Sequence, residues 1–579
     1  MALERHTISN ASLRVIQAHM TDLLFQKGVS PAEIGLPTPQ YSVQVDGSMR
    51  IERDVAITLT DRTRIYADVY RPEGVAKVPA ILAWAPYGKH LSALSQYANI
   101  PDDMGARGCG VDPAWLSPYA GFEGPDPVPW TGAGYAVITV NPRATWWSEG
   151  DYASVWGERE AHDVAEVITW AGTQSWSSGK VGMTGVSYLA IIQWWVAALR
   201  PPYLAAINPC EGLTDVYREF MFHGGIPDTG FPPFWQHNRL KYSTSKVEAI
   251  ADMVAAHPLD DEYWAGKRPD LARIEVPAFV IASWSDQGLH TRGTLAAFEQ
   301  IHSRDKYLLI HGRKKWQYFH QPSTFEKQHA FFERFLKEKE NSAVNSWPRV
   351  RYELRTAYYK GVQCSANVWP LPDRTLRRFH LDADDGTLKD TAPLNSATTS
   401  YPATEEGNDV KFEYVFDRRT DLVGSAALHL WISTESADDA DVFVGLKKLD
   451  VNGKAVDFPF ANTLEKGPVA LGWLRASHRK LDAVRSTPDR PWHTHQDEIP
   501  LVPGEPTLID IEIWPSGTRF EVGERLQLLI RGSDLYTRAT FSRHKPTRNN
   551  GSYVISTGAD HGSTLVIGVV NDAYEVQSE

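Results

Sequence analysis

Ser187 is the side chain whose placement most suggests chemistry. It lies in Val181-Gly-Met-Thr-Gly-Val-Ser-Tyr-Leu-Ala190, where a short apolar run with glycines gives way to a helical pattern. A serine at a tight strand–turn–helix joint is held above a sheet, with the N-terminus of the helix facing the reaction centre. The backbone N–H of the next residue, Tyr188, then points to where an oxyanion would form. Gly185 supplies a small residue at Ser − 2. The Ser + 2 position, glycine in the G-x-S-x-G pattern, holds Leu189, and small Ala190 follows. On spacing alone, Ser187 serves equally well as a helix cap. Nucleophilic use needs an acid and a base, in the chain order Ser, acid, His. Asp286 follows an apolar run at Ala278 to Ser283. His311 ends a run at Tyr307 to Ile310, and His320 lies nine residues beyond it. His290 follows Asp286 so closely that it is set aside as the imidazole.

These residues sit on an alternation of elements. Val78 to Ala85, Tyr135 to Val140, Val181 to Thr184, Ala278 to Ser283 and Tyr307 to Ile310 read as strands buried on both faces. Helical stretches lie between them, notably Glu158 to Thr173 and Tyr188 to Arg200, the latter stopped by Pro201-Pro202. Buried strand alternating with helix implies an α/β fold, a parallel sheet with helices on both faces. Strands alternating apolar and polar residues precede it from Tyr41 to Tyr70, and Leu13, Ile16, Met20, Leu23 and Leu24 suit one face of an earlier helix. The resulting division is 1–212 for the first part of the α/β unit, 213–270 for an inserted helical cap, and 271–345 for the second part. Recurrent strands with turn signals from 346 to 579 indicate a C-terminal all-β sandwich or jelly roll.

A length of 579 residues calls for more than one structural unit. The formal charge of −12 argues against a nucleic-acid partner. Cys109, Cys210 and Cys364 form no disulfide framework, the N-terminus shows no secretory pattern, and no apolar run of about 18 residues appears. The expectation is a cytoplasmic protein without a membrane partner, with homo-oligomerisation left open. Twenty tryptophans, several near the motifs above, suggest an aromatic-walled pocket.

Gly185-Val-Ser-Tyr-Leu-Ala190 resembles the nucleophile motif of the cocaine esterase/X-prolyl dipeptidyl-peptidase family of α/β-hydrolases. Arg143 to Gly150 resembles the family's Arg-Gly-x-x-x-Ser-x-Gly segment, with Ala144 in place of glycine. Glu158, Asp163, Trp170 and Trp176 to Gly182 match the approach to the serine. Leu471 to Arg479 and Pro503-Gly504 match the C-terminal β-domain. The resemblance spans residues 48 to 570 and implies an α/β-hydrolase domain with a helical cap and a C-terminal jelly roll. It also implies roles: Ser187 as nucleophile, Tyr87 and the Tyr188 N–H as oxyanion donors, and Asp286 as the acid in a Gly-Trp-x-Asp-like segment. The family's Gly-Pro-Trp-x-His segment is not kept. Ile310-His-Gly-Arg-Lys-Lys-Trp316 stands there, with Lys315 or Trp316 where histidine usually falls. One branch of the family carries His-x-x-x-x-Trp at this place, which makes His311 the expected base and His320 its alternative.

The expected reaction is hydrolysis of a small-molecule carboxylic ester through an acyl-enzyme, with an amide or X-prolyl peptide bond second. No cofactor or metal is required. A catalytically inactive binding protein is the reading from another class, sustained by the unusual histidine segment. Arg313, Lys314 and Lys315 read as a solvated basic cluster, and Asp438, Asp439 and Asp441 as a solvated loop.

Overall fold

A computed structural model describes residues 23–98, 109–404, 408–461, 464–536, 544 and 548–570. The early helix expected around Leu13 to Leu24 falls mostly outside them. The α/β unit is built on β1 (Ser42–Asp46), β2 (Met49–Thr58), β3 (Arg64–Pro72), β4 (Val78–Trp84), β5 (Ala136–Asn141), β6 (Ser177–Val186), β7 (Leu204–Cys210), β8 (Ala278–Ser283), β9 (Lys306–His311), β10 (Val350–Ala357) and β11 (Lys360–Ala366). In space they run β1-β2-β3-β5-β4-β6-β7-β8-β9-β10-β11. Pairs from β5 to β10 are parallel, and antiparallel strands flank them on both sides. Every residue of β4, β5 and β8 is buried, which is why their sequences are unbroken apolar runs rather than alternations.

Helices α1 (Glu158–Thr173), α2 (Tyr188–Leu199), α3 (Thr291–Gln300), α4 (Lys315–His320) and α5 (Pro322–Phe335) connect the strands. Helix α2 is buried on nearly every face, as its apolar sequence requires, and ends where Arg200 turns left-handed before Pro201. The insertion after β7 consists of short pieces. A two-stranded hairpin (Phe222–His223 with Ile226–Pro227) is followed by the brief helices Phe231–Trp235, Ile250–Ala256 and Glu262–Ala265. Strand Lys246–Glu248 pairs with Phe25–Lys27 and Tyr152–Ala153. Among the described residues, no helix is long and apolar enough to cross a membrane.

The C-terminal part is a sandwich of antiparallel strands. One layer runs Thr375–Asp382, Thr564–Val570, Thr420–Thr434, Thr507–Phe520. The other runs Val410–Val415, Arg525–Arg531, Asp441–Leu449, Ala470–Arg475. Between them lies a core that includes Leu428, Leu430, Val442, Val444, Ile511 and Leu528. Asp439 and Asp441 are not solvated as expected. Both are buried, Asp441 in a two-pronged ion pair with Arg475 at 2.7 and 2.9 Å and Asp439 against Ser477 at 2.8 Å.

Strand β10 and the sandwich together buttress the segment after β8. The Trp284 ring is fully buried, and its Nε1 donates to Glu353 O at 2.7 Å. Gln287 Nε2 donates to Pro515 O at 2.9 Å, and Arg292 grips Glu512 at 2.9 Å. Gly517 lies so close to Trp284 that a Cβ there would sit 2.7 Å from the indole. Gly517→Ala is therefore expected to cost about 1–3 kcal/mol by overpacking. The check is the midpoint of thermal unfolding, which should fall, and the fluorescence of the buried Trp284, which should change as its ring shifts.

Candidate active site

Ser187 takes φ 57° and ψ −115° at the joint of β6 and α2, and its side chain makes no cap bond to the helix. That conformation costs a non-glycine residue roughly 1–3 kcal/mol and persists only where the surroundings impose it. The Ser187 N–H is pinned to Cys210 O at 3.2 Å and Glu211 O at 3.1 Å, at the end of β7. The motif's small residues have steric causes. A Cβ on Gly185 (φ 150°) would lie 2.4 Å from the Leu189 Cβ, and one on Gly212 would lie 3.0 Å from the Ala190 Cβ. Leucine at Ser + 2 is thus accommodated because glycine stands at Ser − 2.

Ser187 Oγ meets Nε2 of His290 at 3.2 Å. His290 Nδ1 bonds Asp286 Oδ2. The tautomer follows: Nδ1 carries the proton toward the carboxylate, and Nε2 is free to accept from the serine. The expected base, His311, is placed elsewhere. Its Nε2 lies 3.2 Å from Glu211 Oε1, its Nδ1 accepts from the Arg313 N–H at 3.1 Å, and its ring stacks on Tyr318 at 3.7 Å. The alternative, His320, is bonded through Nε2 to the Tyr97 hydroxyl at 2.8 Å. The close spacing of Asp286 and His290, which set His290 aside, is what brings them together. The chain winds about the Asp286 carbonyl, which accepts from the Leu289, His290 and Thr291 N–H groups at 3.2–3.3 Å. Gly288 (φ 86°) allows the turn. Residues four apart on such a turn share a face. An Asp-x-x-x-His ahead of a helical pattern is the signal that could have found the pair.

Behind the pair lies a buried ionic cluster. Lys314 and Lys315 are each 2% exposed, not solvated, and Lys315 Nζ sits 3.3 Å from Asp286 Oδ2 and 3.2 Å from His290 Nδ1. Burial would raise the Asp286 carboxyl, but the Lys315 ammonium and then His290 hold it well below the usual range. Burial and, next, the same ammonium lower His290 to about 4. Lys315 thus favours a charged Asp286 and a neutral His290. Glu211 (φ 50°) is pushed far up, first by burial and then by the charge of Asp286. Glu211 Oε2 and Asp286 Oδ1 are both buried and meet no N–H or hydroxyl donor, and the raised Glu211 carboxyl favours the neutral form, which can donate to Asp286. A chain of contacts results: Ser187, His290, Asp286, Glu211, His311.

Tyr87 follows β4 and is buried, its ring edge-on to Phe122 at 5.2 Å and to Tyr188 at 6.1 Å. Burial and the nearby Glu123 push its hydroxyl well above the ordinary value, so it stays a donor. The Tyr188 hydroxyl is spent on Glu160 at 2.7 Å. What Tyr188 offers the serine is its N–H, at the first helical position where no intrahelical acceptor exists. Burial raises Glu160 to about 7. The Arg143 to Gly150 segment clamps the Tyr87 turn. Trp146 Nε1 donates to Pro86 O at 2.8 Å, and its ring lies where a Cβ on Gly88 (φ 95°) would come within 2.7 Å. Arg143 anchors the segment on Asp163 through two 2.7 Å bonds. Ala144 takes φ 55°, a conformation that costs nothing for the glycine expected there.

Comparison with known proteins places the chain. Residues 61–316 match the X-Pro dipeptidyl-peptidase (S15 family) model, and 342–566 match the X-Pro dipeptidyl-peptidase C-terminal non-catalytic domain. Cocaine esterase from Rhodococcus sp. (strain MB1 Bresler) is 25% identical over 434 residues, covering 64% of this chain and 68% of that protein. The crystal structure of a CocE/NonD family hydrolase from Staphylococcus aureus superposes with a TM-score of 0.86 at 37% identity, covering 94% of this chain and 98% of that one. An α-amino acid ester hydrolase shares the fold, with a TM-score of 0.68 at 16% identity over 94% of this chain and all (100%) of that one.

Four outcomes test the cluster. A charged His290 cannot accept the serine proton, so kcat/KM should hold above about pH 4 and fall below it. Lys315→Met removes a positive charge that disfavours the imidazolium, so the acid limb of the pH–rate profile should move up toward the ordinary histidine value of about 6.5. An unmoved limb means that Lys315 does not act on His290. Glu211→Gln keeps a neutral donor for Asp286 and should retain most activity. Glu211→Leu leaves Asp286 Oδ1 unpaired, at a cost of about 1–3 kcal/mol, and should lower kcat/KM about tenfold.

Proposed function

For this chain, which belongs to the CocE/NonD family of hydrolases and is a serine hydrolase, we propose that Ser187, His290 and Asp286 form the catalytic triad and that the substrate is a carboxylic ester. The observation that carries the triad is the 3.2 Å contact of Ser187 Oγ with His290 Nε2, the ring's other nitrogen being bound to Asp286. His290 takes the serine proton as Oγ attacks the ester carbonyl. The Tyr87 hydroxyl and the Tyr188 N–H receive the developing oxyanion. His290 returns the proton to the departing alcohol, and water then releases the acid by the same steps in reverse roles. Asp286 orients the ring and stabilises its charged form without taking the proton.

The preference for an ester rests on how the nearby acids are used. A dipeptidyl-peptidase must grip the free amine of its substrate, and a buried carboxylate is the usual means. Here Glu123 accepts from Trp316 Nε1 at 2.7 Å and neighbours Tyr87, while Glu211 is engaged by Asp286 and His311. The surroundings of Tyr87 and Tyr188 are otherwise aromatic: Phe122, Trp156, Phe220 and Trp235 pack together there. Such walls suit an apolar acyl or alcohol group.

A fluorophosphonate probe and p-nitrophenyl esters test the assignment. Ser187→Ala should abolish labelling, and His290→Ala should lower kcat by about 10²–10⁴ or more. His311→Ala should keep turnover within about tenfold of the parent. Loss of activity in His311→Ala with retention in His290→Ala would reverse the choice of base. Release of p-nitroaniline from Gly-Pro-p-nitroanilide without action on esters would overturn the ester preference.

A further inference from the structure

His223, Asp228 and His544 each place one ligand atom within 4.8 Å of the other two, and all three side chains are buried. Two come from the hairpin of the insertion and the loop just after it, and the third from the distant β-domain. His223 Nδ1 faces His544 Nε2 at 2.9 Å. Each ring spends its other nitrogen on an orienting acceptor. His223 Nε2 donates to Gly288 O at 2.7 Å, and His544 Nδ1 donates to Asp534 Oδ1 at 2.8 Å. Asp228 Oδ1 is held by the Gly230 and Phe231 N–H groups at 2.9 Å, which fixes the carboxylate. Imidazoles whose outer N–H groups are tied to a carbonyl and a carboxylate, beside a hydrogen-bonded carboxylate, are the surroundings of a metal centre rather than of a solvated cluster.

We propose that His223 Nδ1, His544 Nε2 and Asp228 form a binding site for a divalent transition-metal ion of the zinc class. Two imidazoles and one carboxylate suit zinc, and a water or the second Asp228 oxygen completes four-coordination. Asp228 and Asp534 carry two negative charges into the site, and one divalent cation balances them. The walls are aromatic: Trp473 and Trp514 lie 4.9 and 5.7 Å from His223, and Phe443 lies 5.5 Å from His544. When the ion enters, it takes the place of the one proton shared between the facing ring nitrogens, and that proton leaves to solvent. The two nitrogens then part by a few tenths of an ångström to reach metal distances of about 2.0–2.1 Å each. The site is separate from the triad but joined to it. The Gly288 carbonyl bound by His223 belongs to the turn that carries Asp286 and His290. The ion ties the insertion and the β-domain to that turn, a structural role.

The full-length protein, freed of metal with a chelator and dialysed, is titrated with cobalt(II) and separately with zinc. The expected result is one equivalent of cobalt per chain with the visible absorption bands of a four-coordinate site, and a higher thermal midpoint with zinc. Asp534→Asn, which leaves all three ligands in place, should weaken binding about 10–100-fold. Asp228→Asn should abolish the cobalt bands. If wild-type protein that still labels at Ser187 shows neither cobalt bands nor a zinc-dependent rise in midpoint, the proposal is overturned and the three side chains hold one another by hydrogen bonds alone. That outcome leaves the serine hydrolase reading intact, because the labelling is read independently. The wild-type titration decides the question even if a variant fails to fold.

Discussion

Asp286 is a carboxylate 1% exposed at the end of a buried strand, and an uncompensated charge there would cost several kcal/mol. Much of the surrounding architecture answers that demand. Lys315 supplies the opposite charge, His290 supplies a proton on Nδ1, and the neighbouring Glu211, raised by burial and by the charge of Asp286, favours its neutral form. The same arrangement settles which protonation state each partner holds. A lysine beside both members of an acid–base pair favours the ionised acid and disfavours the ionised base at once, which explains why both Asp286 and His290 shift downward although each is the other's counter-group. A histidine in the position of Lys315 could not do this, since a second imidazole would compete for the carboxylate.

Positive backbone angles gather around this centre. Ser187, Glu123, Glu211, Ala144, Trp146 and Trp156 all have φ between 43° and 61°. Each lies on or beside a segment that presents a side chain to the serine or holds one that does. Such strain is retained where packing over-determines the chain. The Trp146 ring against Gly88 and the Leu189 side chain against Gly185 show the means: large residues fill the space that small ones vacate, and the turn has nowhere else to go.

The sequence reveals the sheet almost strand by strand, because two-sided burial writes itself as continuous apolar runs, and α1 and the start of α2 stand where periodicity places them. The family resemblance points further, to Ser187, Asp286 and Tyr87. The histidine that the structure sets against Ser187 is not the one the sequence singles out. His311 sits at a strand end in a segment of the expected kind, yet its ring direction depends on Glu211 and Tyr318, which are remote in sequence. Linear proximity sets His290 aside in the sequence, yet the chain coils around the Asp286 carbonyl and so brings the two side chains together. The solvated reading of Lys314 and Lys315 fails for a related reason, since charge in a sequence is silent about a countercharge brought from afar, the buried Asp286 or the half-buried Glu465. The insertion is more broken into short pieces than its helical text suggests, because much of its packing is against neighbouring segments rather than within itself.

The buttressing of the segment after β8 bears on how the chain could be divided. Gln287 bonds Pro515, Arg292 grips Glu512, Ala461 N–H donates to Ser285 O at 2.7 Å, and β10 pairs with the strand Thr507–Phe520. The turn carrying the acid and the imidazole is therefore lined by residues from both halves. Cutting the sandwich away would not yield a smaller hydrolase. It would strip a guanidinium of one partner, an amide of another and a sheet of its continuation, all at the place where position matters most. The two halves, distinct in texture along the chain, are one object as far as the surroundings of Ser187 are concerned, and exchange of sandwiches between relatives would have to carry these contacts along with it.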